Sequence, residues 1–270
     1  ILVLGGSTTE EREVDDNLIW TKVFEKNLNK NLKVLNAGIG GQTSYGHGMM
    51  YDLWFSKYKD LKPDYILVFL GINDTLNLIE TLEKDEIDNT GRNLNNSNRD
   101  LLINLEIKHK FIQYIKNNSA IHTLFQIIKG NIISRKYNIS YNNKPTEYKI
   151  YEEDKPFNLE DLNTNKIENF KKIYFNNLNK LISVSETYNS KLIFIDQIIS
   201  KQHWLYPYLK QINKYTLEFC KNHNLFCINL SSKLNKFNNN FFYDGMHTTP
   251  EGSKIIGEMV ADSFNNYLFN

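Results

Sequence analysis

Hydrophobic residues along this chain fall into short, nearly unbroken runs that alternate with longer stretches of helical periodicity. The runs are rich in Val, Ile, Leu and Phe and lie at 1–4, 33–35, 65–70, 192–195 and 226–230. Short runs of this composition are typical of strands that are buried on both faces.

The stretches between these runs carry the periodicity of amphipathic helices. They predict helices at 18–28, 45–58, 167–188, 208–223 and 250–267. Strands separated by helices favour parallel pairing through right-handed crossovers. We therefore predict an α/β protein, a three-layer α/β/α sandwich around a mostly parallel, flavodoxin-like, five-stranded sheet.

One long stretch, 75–165, interrupts the alternation and contains no strand-like run. It combines polar loops at 89–98 and 140–146 with an amphipathic helical pattern over 101–133. A loop of that length without secondary structure is uncommon in a compact domain, so we predict a helical insertion after the third strand. The length of 270 residues suits a single domain over 1–270, in which this insertion shapes the site.

Charge and composition exclude some partners. The formal net charge is +1 and the charged residues are interspersed, so the basic stripe that nucleic-acid binding needs is absent. No apolar run approaches the roughly 20 residues that cross a bilayer, so we expect no membrane span.

The chain begins inside its first predicted strand without Met, which leads us to expect missing upstream residues. Localisation therefore stays open, with export or membrane anchoring as options, and the oligomeric state is not indicated.

The chain has two cysteines, Cys220 and Cys227. No His or Cys accompanies them at metal-ligand spacing, and we predict neither a metal nor a cofactor. We expect free thiols. A local bridge is the alternative, because the short segment between a helix end and a strand could fold back on itself.

Chemically distinctive residues follow the ends of the predicted strands. Ser7 follows the first strand in "LVLGGST", "GIGGQTS" follows the second, and "GIND" ends the third. Before the last predicted helix, "DGMH" places Asp244 three residues ahead of His247. The carboxyl ends of parallel strands meet at one edge of a sheet, where ligands collect. A hydroxyl, a base, a carboxylate to orient the base and hydrogen-bond donors for an oxyanion are the set that acyl transfer needs.

These four blocks, in this order, resemble those of the SGNH hydrolases, also called the GDSL esterase/lipase superfamily. The matching residues are Ser7 in "GGST", Gly41 in "GIGGQTS", Asn73 in "GIND", and Asp244 with His247 in "DGMH". The resemblance covers most of the chain outside the insertion.

The resemblance implies roles for these residues. Ser7 would be the nucleophile, His247 its general base, and Asp244 the carboxylate that holds the imidazole in the correct tautomer. The oxyanion hole would consist of the Ser7 N–H, the Gly41 N–H and the side-chain amide of Asn73. Gly40 is the adjacent alternative to Gly41, because a shift of one residue in the match would place it at the same position.

The chain departs from the family pattern before the nucleophile. Gly6 stands where the family usually has Asp, which affects local hydrogen bonding and the subfamily but removes no triad member. Glu10 could reach the site, although a solvated turn is the expectation for it. We expect the remaining histidines to be structural or exposed: His47, His109, His122, His203 and His223.

The resemblance implies a serine esterase, and the composition suggests its substrate. No continuous apolar tract suits a long acyl chain, so we expect a short acyl group, acetyl by preference, on a polar, carbohydrate-like small-molecule or glycan ester. Aromatic residues that could stack on a sugar, or simply pack, are Tyr137, Tyr141, Tyr148, Tyr151, Trp204, Tyr206 and Tyr208. The alternatives are an O-acyltransferase with a sugar hydroxyl as acceptor and a non-catalytic binding domain.

Overall fold

Five parallel strands form the sheet, in the order β2-β1-β3-β4-β5. The structure is a computed structural model that describes residues 1–83, 120–140, 164–236 and 239–269. The strands are β1 (Leu2–Gly5), β2 (Leu35–Gly38), β3 (Tyr65–Phe69), β4 (Lys191–Ile195) and β5 (Phe226–Ile228). Because β1 lies between β2 and β3, the chain passes from β1 to the edge strand β2 and then crosses back past β1 to β3. The prediction of a flavodoxin-like α/β sheet is confirmed.

Helices connect the strands and cover both faces of the sheet. They are α1 (Ser7–Glu10), α2 (Trp20–Lys26), α3 (Ser44–Leu53), α4 (Asp74–Glu83), α5 (Ala120–Tyr137), α6 (Thr164–Thr187), α7 (Tyr206–Asn222) and α8 (Pro250–Phe269). Short 3₁₀ turns occupy Phe55–Lys57, Ser231–Lys236 and Asn239–Phe241. Each helix predicted outside the insertion overlaps an observed one.

The central strand β3 shows why its apolar run is unbroken. Ile66 and Val68 face one core cluster, which is completed by side chains of α3, α6 and α7. Leu67 and Phe69 face the opposite cluster, which is completed by side chains of α2 and α8. Since successive side chains of a strand point to opposite faces, a strand with a core on each side must be apolar at every position.

The second strand lies further along the chain than its apolar run predicted. The sequence pattern indicated 33–35, whereas β2 runs from Leu35 to Gly38 and pairs with β1 from Leu2↔Leu35 to Gly5↔Gly38. β2 is an edge strand, and its four residues are exposed or only partly buried. Backbone pairing with β1, rather than apolar side chains, therefore sets its position, and the predicted boundaries are wrong.

The described parts of the predicted insertion are helical or nearly so. α5 overlaps the end of the amphipathic pattern over 101–133, and α4 begins at Asp74, after the short turn that follows β3. Both predicted polar loops, apart from Ser140, lie outside the described residues. The backbone N–H of Ser140 donates to the carbonyl of Glu13 at 2.8 Å, which brings the end of α5 to the segment after the first strand. None of the helices in the described ranges is long and apolar enough to cross a membrane.

The two cysteines are paired, so the expectation of free thiols is wrong and the alternative is correct. Cys220 and Cys227 form a disulfide with a Cα–Cα distance of 6.2 Å. The chain turns sharply after α7, where the N–H of Leu225 donates to the carbonyl of Cys220 at 2.9 Å. This turn sends β5 back alongside the last part of the helix and brings the two sulfurs together.

Candidate active site

Ser7, His247 and Asp244 come together at the carboxyl edge of the sheet. Ser7 lies directly after β1 as the first residue of α1, and its Oγ is 2.8 Å from Nε2 of His247. The other ring nitrogen of His247, Nδ1, is 2.7 Å from Oδ2 of Asp244. The three side chains thus form one continuous hydrogen-bonded series, although Ser7 lies near the start of the chain and the other two near its end.

The Asp244 carboxylate is held by its own turn as well as by the imidazole. Its Oδ1 accepts the backbone N–H groups of Met246 at 2.9 Å and of His247 at 2.7 Å. Gly245, inside this turn, has φ +85°, a conformation that favours glycine. Burial tends to raise the pKa of Asp244, but the hydrogen bonds and charge of His247 outweigh it, and the pKa lies below its usual value. Asp244 is therefore an ionised acceptor at neutral pH.

The His247 imidazole lies in an acidic environment under an aromatic ring. Burial lowers the pKa of His247, but the hydrogen bond and charge of Asp244, with smaller contributions from Glu13 and Glu11, raise it above the usual value. The Tyr243 ring stacks on the imidazole with centroids 5.8 Å apart and planes inclined by 18°. The Tyr243 side chain is also hydrogen bonded to Glu13. These contacts fix the plane of the ring and favour the imidazolium form.

Donor groups from the turns after β2 and β3 lie at the same edge. The side-chain Nδ2 of Asn73 donates to the carbonyl of Gln42 at 2.8 Å, and because an amide nitrogen carries two hydrogens, the second is left to donate elsewhere. Gly41 has φ +79°, and a Cβ at this position would meet no atom within 4 Å. Its N–H makes no hydrogen bond within the described part of the chain.

Glu10 distinguishes the two rival glycines. Its Oε2 accepts the backbone N–H of Gly40 at 2.9 Å, and its Oε1 pairs with Arg12 at 2.7 Å. The expectation of a solvated turn for Glu10 is therefore wrong, because the carboxylate joins the turn after β1 to the turn after β2. Since the Gly40 N–H is already bonded, the geometry favours Gly41 over Gly40 as a donor to a ligand.

Two buried side chains that the motifs did not single out brace these turns. Asp74 accepts the backbone N–H of Ser44 at 3.1 Å and its hydroxyl at 2.6 Å, which ties α4 to the start of α3. Burial raises the pKa of Asp74 to about 6 against these hydrogen bonds. Gln197 accepts the N–H of Ile72 at 2.7 Å and donates to Thr8 Oγ1 at 2.8 Å. Asp74 is the last residue of the "GIND" motif, so the sequence drew attention to its position. Nothing in the sequence around Gln197, which follows β4, indicates its role.

The glycine that departs from the family pattern lies against the Asn73 amide. A Cβ built at Gly6 would lie 2.6 Å from Nδ2 of Asn73. Any side chain at this position, an Asp included, would require the Asn73 amide to move. The Asn73 amide can occupy its present position because residue 6 is a glycine and not the Asp of the family pattern.

Some of the remaining sequence candidates lie near Asp244 and His247, and others lie apart from them or outside the described residues. Trp204 and Tyr206 pack with Met246 in a small apolar cluster, and His203 is electrostatically coupled to Asp244. His47 is fully buried with no hydrogen-bond partner among the described residues. Residues outside the description include Tyr141, Tyr148, Tyr151 and His109. Where the structure describes side chains, no group of three or more His, Cys, Asp or Glu could hold a metal ion.

Comparison with known proteins decides the family. The model of the GDSL-like Lipase/Acylhydrolase family matches residues 1–260 of this chain. The chain belongs to that family. A segment of 75 residues is 32% identical to a Bacillus subtilis (strain 168) protein named uncharacterized lipoprotein YqeF, covering 28% of this chain and 30% of that protein.

Solved structures of two esterases share the fold at low sequence identity. The psychrotrophic esterase EstA from Pseudoalteromonas sp. is 15% identical to this chain. The TM-score is 0.52, over 100% of this chain and 98% of that one. The acetyl xylan esterase AlAXEase is 13% identical with a TM-score of 0.51, over 99% of this chain and 100% of that one. By its family the chain is an esterase or acylhydrolase. The solved structures show that it shares their fold.

Proposed function

We propose that this GDSL-family protein is a serine esterase that hydrolyses a short-chain O-ester, acetyl by preference, on a polar and carbohydrate-like substrate. The observation that carries the proposal is the hydrogen-bonded series from Asp244 Oδ2 through His247 to Ser7 Oγ, with distances of 2.7 Å and 2.8 Å. A buried carboxylate, an imidazole and a hydroxyl at these distances can generate a serine nucleophile.

In the proposed reaction, Ser7 Oγ attacks the ester carbonyl while its proton passes to Nε2 of His247. Asp244 accepts the Nδ1 proton in a hydrogen bond and stabilises the imidazolium that forms. The carbonyl oxygen becomes an oxyanion, which receives hydrogen bonds from the Ser7 N–H, the Gly41 N–H and the second hydrogen of the Asn73 amide.

Collapse of this intermediate breaks the ester C–O bond. The departing alcohol takes the proton from His247 and leaves an acyl group on Ser7. Water then gives a proton to His247 and attacks the acyl carbon, and release of the carboxylic acid returns the proton to Ser7 Oγ. All protons are accounted for by the substrate, the water and the two side chains.

The surroundings of the site support a short acyl group. Ile72 precedes Asn73, Met246 precedes His247, and both pack in one small apolar cluster. Its other members are Ile199, Leu205, Leu209, Ile79, Trp204 and Tyr206. The cluster places apolar side chains next to Asn73 and His247, and one fold neighbour is an acetyl xylan esterase, so we favour an acetyl group. That the insertion over 75–165 completes the pocket remains part of the proposal.

Turnover of p-nitrophenyl esters tests the proposal directly. We expect acetate to be hydrolysed with a higher kcat/KM than octanoate, and Ser7→Ala to lose about 10⁴-fold or more in kcat. The matched control is Ser56→Ala, because Ser56 is exposed in the 3₁₀ turn after α3, and it should retain full activity. A serine-reactive phosphonate should label Ser7 of the parent protein.

Three outcomes would contradict the proposal. Labelling at another serine would remove Ser7 as nucleophile, and preference for octanoate would remove the short-chain specificity. Turnover that appears only when a sugar acceptor is added would identify an O-acyltransferase, because the same acyl-serine would then be transferred to a hydroxyl instead of water.

A further inference from the structure

Glu11 is a buried carboxylate at the end of the helix that carries the proposed nucleophile. It lies in the charged run "EERE", whose side chains would ordinarily be exposed to solvent. Only 5% of Glu11 is exposed. It follows the last residue of α1 with φ +48°, in the left-handed region. This backbone conformation ends the helix that carries Ser7 and turns the Glu11 side chain into the protein.

The Glu11 carboxylate is hydrogen bonded to three separate parts of the chain. Oε2 accepts the backbone N–H of Trp20 at 2.6 Å, at the start of α2. Oε1 accepts the hydroxyl of Ser253 at 2.5 Å, in the first turn of α8, and also the hydroxyl of Thr248. Thr248 directly follows His247 in the chain. One side chain thus connects the turn that bears Ser7 with the turn that bears His247.

We infer that Glu11 is a positioning residue, which holds His247 at the correct distance from Ser7 and adds negative charge behind the imidazole. The inference rests on the proposed serine esterase function and deepens it. The distance of 2.8 Å between Ser7 Oγ and His247 Nε2 joins segments that are remote in sequence. Glu11 bonds to both segments, because its backbone N–H donates to the Ser7 carbonyl at 2.9 Å and its side chain accepts the hydroxyl of Thr248, the residue after His247. Positions a few tenths of an ångström longer would weaken proton transfer from the hydroxyl.

The negative charge of Glu11 and its hydrogen bonds both support proton transfer from Ser7 to His247. Charged or titratable groups coupled to His247 are Asp244, Glu13, Glu11, Tyr243 and His203. Negative charge among these groups stabilises the imidazolium that forms when Ser7 attacks. Burial raises the pKa of Glu11 to about 7, against the hydrogen bonds from Ser253, Thr248 and Trp20. Glu11 therefore becomes more negatively charged as the pH rises through neutrality, the range in which His247 must act as the base.

The proton that Glu11 takes up at lower pH has a defined place. The Trp20 N–H can only donate, so Oε2 must remain an acceptor. The Thr248 and Ser253 hydroxyls can rotate, so that one of them accepts a hydrogen bond from a protonated Oε1, and Oε1 is the oxygen that can carry the proton. The hydrogen bonds that connect the two turns are therefore kept in both the protonated and the ionised form of Glu11. Only the ionised form places a negative charge near His247.

Glu11→Gln separates these two contributions, because the amide keeps the shape and can keep the bonds but has no charge. We expect kcat for p-nitrophenyl acetate to fall about tenfold with KM changed less than twofold. The His247 pKa, measured by NMR of the imidazole and identified with His247→Asn, should fall by about half a unit or more. Glu258→Gln, at a partly exposed position of α8, is the matched control and should change neither quantity.

Glu11→Gly removes the bonds as well as the charge, while glycine accepts the left-handed backbone without strain. We expect a kcat loss of about 100-fold and slower phosphonate labelling of Ser7. The inference is overturned if folded Glu11→Gln and Glu11→Gly lose thermal stability without any change in kcat or in the His247 pKa, since that is a purely structural role. Failure of the proposed function looks different: the parent protein would hydrolyse no ester and Ser7 would resist the phosphonate, while the His247 pKa would still respond to Glu11→Gln.

Discussion

Replacing Asp244 by Asn tests the base and its orientation together, and the structure determines which way the new amide must face. Oδ1 of Asp244 accepts two backbone N–H groups, from Met246 at 2.9 Å and His247 at 2.7 Å. Those groups can only donate, so the amide oxygen must take this place. The NH₂ group is then left at the position of Oδ2, which is 2.7 Å from His247 Nδ1.

An NH₂ group at that position reverses the hydrogen bond to the imidazole. It donates to Nδ1, so neutral His247 must carry its proton on Nε2, the nitrogen that faces Ser7 Oγ at 2.8 Å. A protonated Nε2 cannot accept the Ser7 proton. We expect the kcat of Asp244→Asn to fall by about 10³ to 10⁴, or about 4 to 5.5 kcal/mol of transition-state stabilisation.

The pH dependence should change as well. Burial lowers the pKa of His247, and the hydrogen bond and charge of Asp244 are the main contributions that raise it above its usual value. The base works only when neutral, so kcat/KM of the parent should rise with pH through this raised pKa. Without the carboxylate the rising limb should move to lower pH.

The assay is kcat/KM for p-nitrophenyl acetate measured between about pH 5 and 9. Asp262→Asn is the control, because Asp262 is exposed on α8, and its profile should match the parent. A plateau within about tenfold of the parent, with an unmoved rising limb, would show that another group orients His247 and would refute the role proposed for Asp244.

Three further predictions concern the donors, the bridge and a buried acid. Asn73→Ala should lower kcat by about 10² to 10³ with little change in KM, because its amide acts on charge that develops in the transition state; a loss mainly in KM would contradict this. The double variant Cys220→Ser/Cys227→Ser should lose about 2 kcal/mol in urea unfolding while keeping its kcat, since the bridge spans a separation of 7 residues, and unchanged stability would argue against the bridge. Burial raises the Asp74 pKa from 3.8 to about 6, so this carboxyl contributes stability at low pH that is lost as pH rises through that interval. Between about pH 3.5 and 7 the parent should therefore lose about 3 kcal/mol more unfolding free energy than Asp74→Asn, and equal losses would contradict the shift.

The parts of the fold and site that the sequence predicted are those with a local or periodic signal. A strand between two helical layers must be apolar on both faces, so β3 and β4 were visible as unbroken runs. The Asp244–His247 pair lies within one turn, and its spacing alone allows the contact between the two side chains. Strand ends in a parallel sheet share an edge, which is why Ser7 and Asn73 could be expected near each other.

Other features needed the tertiary structure because a single segment carries no trace of them. β2 is set by backbone pairing at the sheet edge, so its apolar run pointed to the wrong residues. Glu10 bonds to Gly40, which is remote in sequence, and this contact distinguishes Gly41 from its neighbour. The Cys220–Cys227 bridge depends on how tightly the chain turns after α7.

Glu11 shows the difference most clearly. In the sequence it is one charged residue in a polar run, and neither periodicity nor spacing separates it from Glu10 or Glu13. Only the left-handed turn after α1 and the approach of α8 bury its carboxylate against Thr248 and Ser253. Hydrophobic burial repeats along an element and so leaves a pattern, whereas a polar contact between remote segments is a single event that exists only once the chain has folded.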